Sequence, residues 1–378
     1  NVSPTVGESG STEFIDMATF TGEAETPPVG NLFFEIELRC PPASDVAPLT
    51  FNVSVPLGGS GGNSFSLANT GCTPLTYNVT PPALMSASPS SGTIPPGGVQ
   101  LSSITITPGI VPLGFSGFGD VVVTTNDPVT PSRTVRFNYS VTGSLRRATP
   151  GVCYATQGSS AVGTPRLYRV DLATGAATAV GSTSGVFVPA MAIEPREGRM
   201  FAAVSSLLTR VDVGSGALAS VAGTPCASAM TFSPSGQLLK MGCDSTLYIV
   251  DASTGSQVSV GPVSPHMGGI AFDPTSGLLY GVRKHAGPGS DQLYRIAFPG
   301  GATTLVGTLG LGLPIGDITF DESGNLFGVV GEDAAPNQLV SISKTTGLAT
   351  VIGATGVAGL SSLAYFAPTV NCRFASSV

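Results

Sequence analysis

Three aspartates recur at one place in a repeated phrase: Asp171 in "LYRVDLATG", Asp212 in "LLTRVDVGSG" and Asp251 in "LYIVDASTG". Carboxylates repeated after hydrophobic runs could act as general acids and bases or as ligands of a hard cation. Another acid, Asp317, interrupts the apolar run "IGDITF", while Glu194, Asp273 and Asp321 stand at the ends of related runs. Glycosidases use such carboxylates in pairs at a fixed separation. The two histidines, His266 and His285, share their neighbourhood in the chain with Arg283, Lys284 and Tyr294. With Asp317 these five are the candidates for a ligand face, but two lone histidines are more often ordinary surface than a site, because nothing nearby supplies a partner.

The repeat itself argues against chemistry at the three aspartates. Two further copies, "LYRIAFPGG" and "LVSISKTTG", put Ala297 and Ser343 where the acid stands, yet keep the closing glycine. A carboxylate that accepts N–H bonds two or three residues on, before a glycine of positive φ, is a turn device. Asp317 aligns with Ala190, Ala229, Gly269 and Ser362, which makes a poor glycosidase pair, and the absence of Trp removes a sugar-stacking platform. The run "DESGN" at Asp321 has too few alternating acids for an EF-type loop. "GSTSG" from Gly181 lacks the helix that follows a hydrolase nucleophile. "GGSGGNS" and "LGLGL" open no helix that could cradle a phosphate. Catalytic residues, metal ligands and cofactors are therefore all expected to be none.

Six cysteines, at 40, 72, 153, 226, 243 and 372, show no CxxC pair and no adjacent histidine, so disulfides are the expectation. Cys226 and Cys243 flank two strands around Ser233-Pro234-Ser235-Gly236 and would meet at the open end of a hairpin. Cys153 with Cys372, and Cys40 with Cys72, complete the expected set. The sequons at Asn52, Asn78 and Asn138 are compatible with a glycosylated surface.

The elements that must position these residues are strands. In 378 residues there are 50 glycines, 31 prolines and only 10% charged side chains, the composition of a β-rich extracellular protein. The net charge of −7 is scattered and no basic run exceeds a pair such as Arg146-Arg147, so the chain carries no electrostatic footprint for nucleic acid or an anionic membrane, and neither is expected as a partner. No stretch reaches the ~18 to 20 apolar residues of a membrane span, and the chain starts without an apolar leader, as a processed secreted protein would.

From residue 151 a unit of 40 to 46 residues repeats, with markers "MAIEP", "MTFSP", "IAFDP", "ITFDE" and "LAYFA". Four short strands per unit predict a five-bladed β-propeller over 151–378, whose closing blade takes its inner strand from the C-terminus. Residues 47–143 alternate apolar and polar over short runs, the pattern of an antiparallel sandwich, and 144–150 form a linker. Within that segment "LANTGCTPLTYNV", "SPSSGTIPPGG" and "VVVTTNDP" resemble immunoglobulin-like domains of the Hydin type. The later half resembles bacterial secreted propellers with "D-x-x-T-G" turns and "VG" strand ends. The resemblances imply an all-β, cell-surface or secreted protein and carry no catalytic residues over.

Residues 1–46 read as an arm, with Leu32, Phe34, Ile36 and Leu38 alternating against Glu35, Glu37 and Arg39. Such a strand either pads the sandwich or completes a sheet in a neighbouring copy. Three functions follow from the residues. The first is a non-enzymatic extracellular structural or interaction protein, a filament subunit that partners itself or other surface proteins. The second is an adhesin or lectin that binds glycans or proteins through the propeller face at His266, Arg283, Lys284, His285 and Tyr294. The third is a glycosidase or lyase centred on Asp317.

Overall fold

The computed structural model describes residues 40–158, 163–283, 291–331 and 335–368. Every regular element among them is a strand, and no helix is long and apolar enough to cross a membrane. The expected arm up to residue 39, Lys284, His285 and Cys372 lie outside the described residues.

Alternation builds the first part. In β2 (Thr50–Pro56), Phe51, Val53 and Val55 turn inward while Thr50, Asn52 and Ser54 face out. The other strands are β1 (Ser44–Ala47), β3 (Gly61–Asn69), β4 (Leu75–Thr80), β5 (Met85–Ser88), β6 (Ser91–Ile94), β7 (Val99–Ile106), β8 (Ser116–Thr125) and β9 (Ser132–Thr142). They make two sheets, β1-β3-β7-β5 and β2-β9-β8-β4-β6. Phe65, Leu67, Ile104 and Ile106 of one sheet meet Val121, Val123, Val135 and Phe137 of the other in a single sandwich core. Ser44–Ala47, which begins inside the expected arm and straddles its boundary with the sandwich, is the sandwich's first strand. It pairs antiparallel with β3, and beyond Pro48, which cannot donate to a ladder, the chain crosses to pair parallel with β9 as β2. Asp127 fastens this crossing strand, accepting the Ser44 N–H at 2.8 Å and the Thr130 hydroxyl at 2.6 Å.

The second part is a β-propeller, whose described residues form four-stranded antiparallel sheets. The first to form along the chain is β10 (Val152–Gln157), β11 (Arg166–Val170) and β12 (Ala177–Ser182), completed at its inner side by β29 (Leu360–Phe366). The next comprises β13 (Ala190–Ile193), β14 (Met200–Val204), β15 (Leu207–Val211) and β16 (Leu218–Gly223). Then come β17 (Ala227–Phe232), β18 (Leu238–Gly242), β19 (Thr246–Val250) and β20 (Gln257–Pro262), followed by β21 (Gly269–Phe272), β22 (Leu279–Val282), β23 (Gln292–Ile296) and β24 (Thr303–Thr308). The last sheet is β25 (Ile315–Phe320), β26 (Leu326–Val330), β27 (Pro336–Ile342) and β28 (Ala349–Ala358). The inner strands β13, β17, β21, β25 and β29 contact one another in a closed ring.

Residue size sets how neighbouring sheets mesh. Ala190 and Ala192 share a core cluster with Met230 and Phe232 of the next inner strand, and Ala271 does so with Ile318 and Phe320. Small side chains on one strand thus receive large ones from the next, so that neighbouring sheets interdigitate.

The repeated turns lock the rim. Gly175, Gly216, Gly255, Gly301 and Gly347 each lie against the outermost strand of the preceding sheet, at Gly353, Gly181, Gly223, Pro262 and Gly307. A Cβ on Gly181 would stand 1.9 Å from the Ser215 carbonyl oxygen, so the backbones touch there as no larger residue permits. The "D-x-x-T-G" turn and the "VG" strand end are two halves of one contact.

The sandwich is joined to this ring through the linker. Arg146 donates to Asp212 from its backbone N–H at 2.8 Å and from its guanidinium at 3.1 and 2.9 Å. Ser220 donates to the Val111 carbonyl, and Ile110 packs into the propeller cluster around Met191.

Candidate functional site

The central channel is where a propeller usually gathers its chemistry. Its mouth on the side of the β13–β14 and equivalent turns is a cavity of about 130 Å³. Ile193, Phe232, Phe272, Phe320 and Phe366 surround it, with Thr231 and Thr319 as the hydroxyls of the strands. These five large residues hold one register position: Phe366 pairs with Val152 as Phe320 does with Leu326 and Phe272 with Leu279. The same register makes Leu363, opposite Ala155, the counterpart of Asp317, opposite Val329. The sequence match that chose Ser362 slips by one because Tyr365, a large residue, occupies a position that is small elsewhere.

Asp317 itself is 1% exposed. One carboxylate oxygen, Oδ1, accepts the Ile318 N–H at 2.8 Å, and the other, Oδ2, accepts the Leu363 N–H at 2.9 Å and the Ser362 hydroxyl at 3.3 Å. Thr319 Oγ1 accepts the Tyr365 N–H at 3.0 Å. Both side chains of β25 therefore satisfy the open inner edge of β29. Room for the carboxylate comes from Gly269, where a Cβ would lie 2.5 Å from Asp317 Oδ1. The acid read as a catalytic candidate is bound to the backbone of the ring's closing strand.

Cys153, expected to pair with Cys372, is a free and buried thiol. Its strand β10 lies between β29 and β11, which directs the sulfur into the core with Ala155, Leu363 and Val329. Burial, and then the charge of Asp317, pushes the thiol far above its ordinary range. Cys226 and Cys243 are bonded, with Cα atoms 5.6 Å apart, at the open end of the β17–β18 hairpin. Cys40 and Cys72 are disulfide-bonded residues.

The residues expected on one ligand face divide among different neighbours. His266 stands beside Ser245, its Nδ1 3.1 Å from the hydroxyl. Burial holds this imidazole below its ordinary pKa against the opposing pull of Asp244. Tyr294 is instead part of the core with Met267 and Ile270, and donates to Gln292 at 2.7 Å. Arg283 follows β22, with its N–H on the Gln292 carbonyl. Strand β18 holds a group that sequence reading missed. Lys240 is 1% exposed, and its ammonium donates to Thr224 Oγ1, the Pro225 carbonyl and Gln257 Oε1 at 3.2, 2.9 and 2.6 Å. Burial lowers its pKa, and the Tyr248 ring lies 5.3 Å away. All three donors are occupied, so this is a satisfied buried cation. The signal was a lysine inside the apolar run "QLLKMG".

The three repeated aspartates also part company. Asp171 and Asp251 accept N–H bonds from Ala173 and Ser253, two residues on, and are exposed. Asp212 is 4% exposed and holds Arg146 of the linker as well as the Ser215 hydroxyl. Burial opposes its charge, but those hydrogen bonds outweigh it and keep the carboxyl below its usual range. Among the described residues no group of three or more His, Cys, Asp or Glu is placed to hold a metal ion.

The sequon asparagines lie on the outer surface of the sandwich. Asn138 Nδ2 donates to Asn52 Oδ1 at 3.1 Å, and Asn78 Nδ2 to Thr80 Oγ1 at the same distance.

The chain is thus a β-propeller protein with a β-sandwich ahead of the ring. No protein-family model matches it, and no curated protein sequence matches it. Among solved structures it is similar to a nidogen/laminin complex, at 14% identity over 57% of this chain and 82% of that one, with a TM-score of 0.40. A protein of unknown function from Bacteroides thetaiotaomicron is 11% identical over 88% and 94%, with a TM-score of 0.40. The calcium-binding protein regucalcin from Agrobacterium tumefaciens is 16% identical over 59% and 81%, with a TM-score of 0.37.

Proposed function

We propose that the chain is a non-enzymatic, secreted binding protein of bacterial type, in which five propeller blades and an immunoglobulin-like sandwich present recognition surfaces. The observation that carries this reading is the hydrogen bonding of Asp317. Both carboxylate oxygens accept backbone N–H groups of the ring's own strands, so the channel's acid closes the fold. Disulfides favour an oxidising compartment.

Assembly of copies by strand donation is the sharper form of the proposal. It rests on the alternation of Leu32, Phe34, Ile36 and Leu38 and on the sandwich edges β1, β2, β5 and β6 that could accept a strand. Two measurements test the reading. Turnover of a panel of chromogenic glycosides that disappears in Asp317→Asn, with the variant still folded, would establish an enzyme and overturn it. Electron microscopy of the purified chain tests assembly: fibres that persist with unchanged dimensions after deletion of residues 1–39 would refute strand donation by the arm.

A further inference from the structure

The outer face of the β2–β9–β8 sheet holds a groove of about 590 Å³ that belongs to neither the channel nor the propeller face. Register arranges its side chains in rows across the three strands. Asn52, Asn138 and Phe118 stand side by side, and so do Ser54, Ser140 and Ser116. Thr50, Arg136 and Asp120 form a third row beside them.

Phe118 is 63% exposed, unusual for a phenylalanine on a flat sheet. One ring face rests against Arg136, whose guanidinium carbon is 4.7 Å from the ring centre. That guanidinium in turn grips Asp120 through two hydrogen bonds of 2.8 and 2.7 Å. The ring is held in place while its other face stays open. Among the described residues, the charges beside the groove, Arg136 and Asp120, neutralise each other. The groups lining the groove are neutral donors and acceptors, the carboxamides of Asn52 and Asn138 and the hydroxyls of Ser54, Ser116, Ser140 and Tyr139. The Asn138–Asn52 bond leaves that pair a carbonyl and an amino group for other partners.

We propose that this groove binds a neutral oligosaccharide. A pyranose presents an apolar face of C–H groups and an edge of hydroxyls that both donate and accept. The exposed ring offers apolar area to the first, and the rows of Asn and Ser offer both hydrogen-bonding senses to the second. A charged ligand would have to break the Arg136–Asp120 pair. A protein partner of ordinary kind would find one aromatic among serines and asparagines, without the apolar centre that such interfaces bury.

The proposal goes beyond the binding reading of the propeller, and its test separates the two. Saturation-transfer NMR is recorded on the full chain, produced without N-glycans, with maltohexaose, cellohexaose and chitohexaose, and with polygalacturonate as the anionic comparison. At least one neutral oligomer is expected to give transfer signals. Phe118→Ala should weaken that binding about tenfold or more, with an unchanged melting temperature, since loss of a stacked ring is worth roughly a factor of ten. Asn138→Asp, which keeps the size and adds a charge beside the ring, should weaken it as well. The proposal fails if no neutral oligomer binds, or if polygalacturonate binds more tightly. It also fails if binding survives Phe118→Ala, which would move the ligand to the propeller, or if sedimentation shows that Phe118→Ala dissociates a dimer.

Discussion

Asp317 Oδ2 lies 2.9 Å from the backbone nitrogen of Leu363, forty-six residues further along the chain, and so ties the C-terminal strand to the sheet before it. This is the point where the ring closes and where chain connectivity gives no help, because β29 enters the sheet that β10 began. Asp317→Asn should lower stability by about 1–3 kcal/mol, since its amino group turns a donor toward the N–H groups of Ile318 or Leu363. The drop in melting temperature, together with faster amide exchange in β29 than in β13, checks it. An unchanged melting temperature would refute the clasp.

The rim contacts predict a contrast between two similar glycines. A Cβ on Gly181 meets the Ser215 carbonyl at 1.9 Å, whereas on Gly223 the nearest atom, the Ser206 carbonyl oxygen, is 3.9 Å away. Gly181→Ala should therefore cost roughly 2 kcal/mol or more, as other overpacked sites do, while Gly223→Ala stays within about 0.5 kcal/mol. Chemical denaturation of the two variants side by side decides it.

Acid should unfold the protein through a few buried carboxylates. Burial alone would raise Asp273, but hydrogen bonds from Lys344, Thr275 and Ser276 hold it well below the usual carboxylate range, with the Lys344 ammonium at 2.7 Å. Asp127 is held low in the same way, burial being outweighed by Thr130, Ser44 and Val129. A folded pKa below the unfolded one gives stability that is complete above about pH 4 and is lost as pH falls toward the folded values. The melting temperature should be flat from neutral pH down to about 5 and decline below 4, and Asp273→Asn should flatten that decline. A steeper decline in the variant would contradict the assignment.

Thiol chemistry should distinguish the described cysteines. Cys153, buried and with its pKa raised, should resist iodoacetamide in the native protein and react in denaturant, as peptide mapping would show. The Cys226–Cys243 bond closes a loop with a sequence separation of 17, and its reduction should cost about 3 kcal/mol.

Much of the fold was legible because its signals are local. A turn carboxylate and its acceptor N–H lie two residues apart, a hairpin disulfide spans a single turn, and strand alternation repeats every second residue. The slip at "LAYFA" shows the limit: apolar residues alone cannot register a strand when a tyrosine takes a small residue's place.

The sequence by itself determined the all-β character, the repeating unit with its turn glycines, and the hairpin that brings Cys226 to Cys243, since each depends on residues a few positions apart. Only the tertiary structure decided that Asp212 anchors the linker while Asp171 and Asp251 merely turn the chain. It also decided that Asp317 closes the ring, that Cys153 lies buried in the propeller core, and that Asn52, Phe118 and Asn138 share one groove. These relations join positions tens of residues apart, and they exist only after the sheets have packed, because the burial and register that define them belong to the whole ring and sandwich.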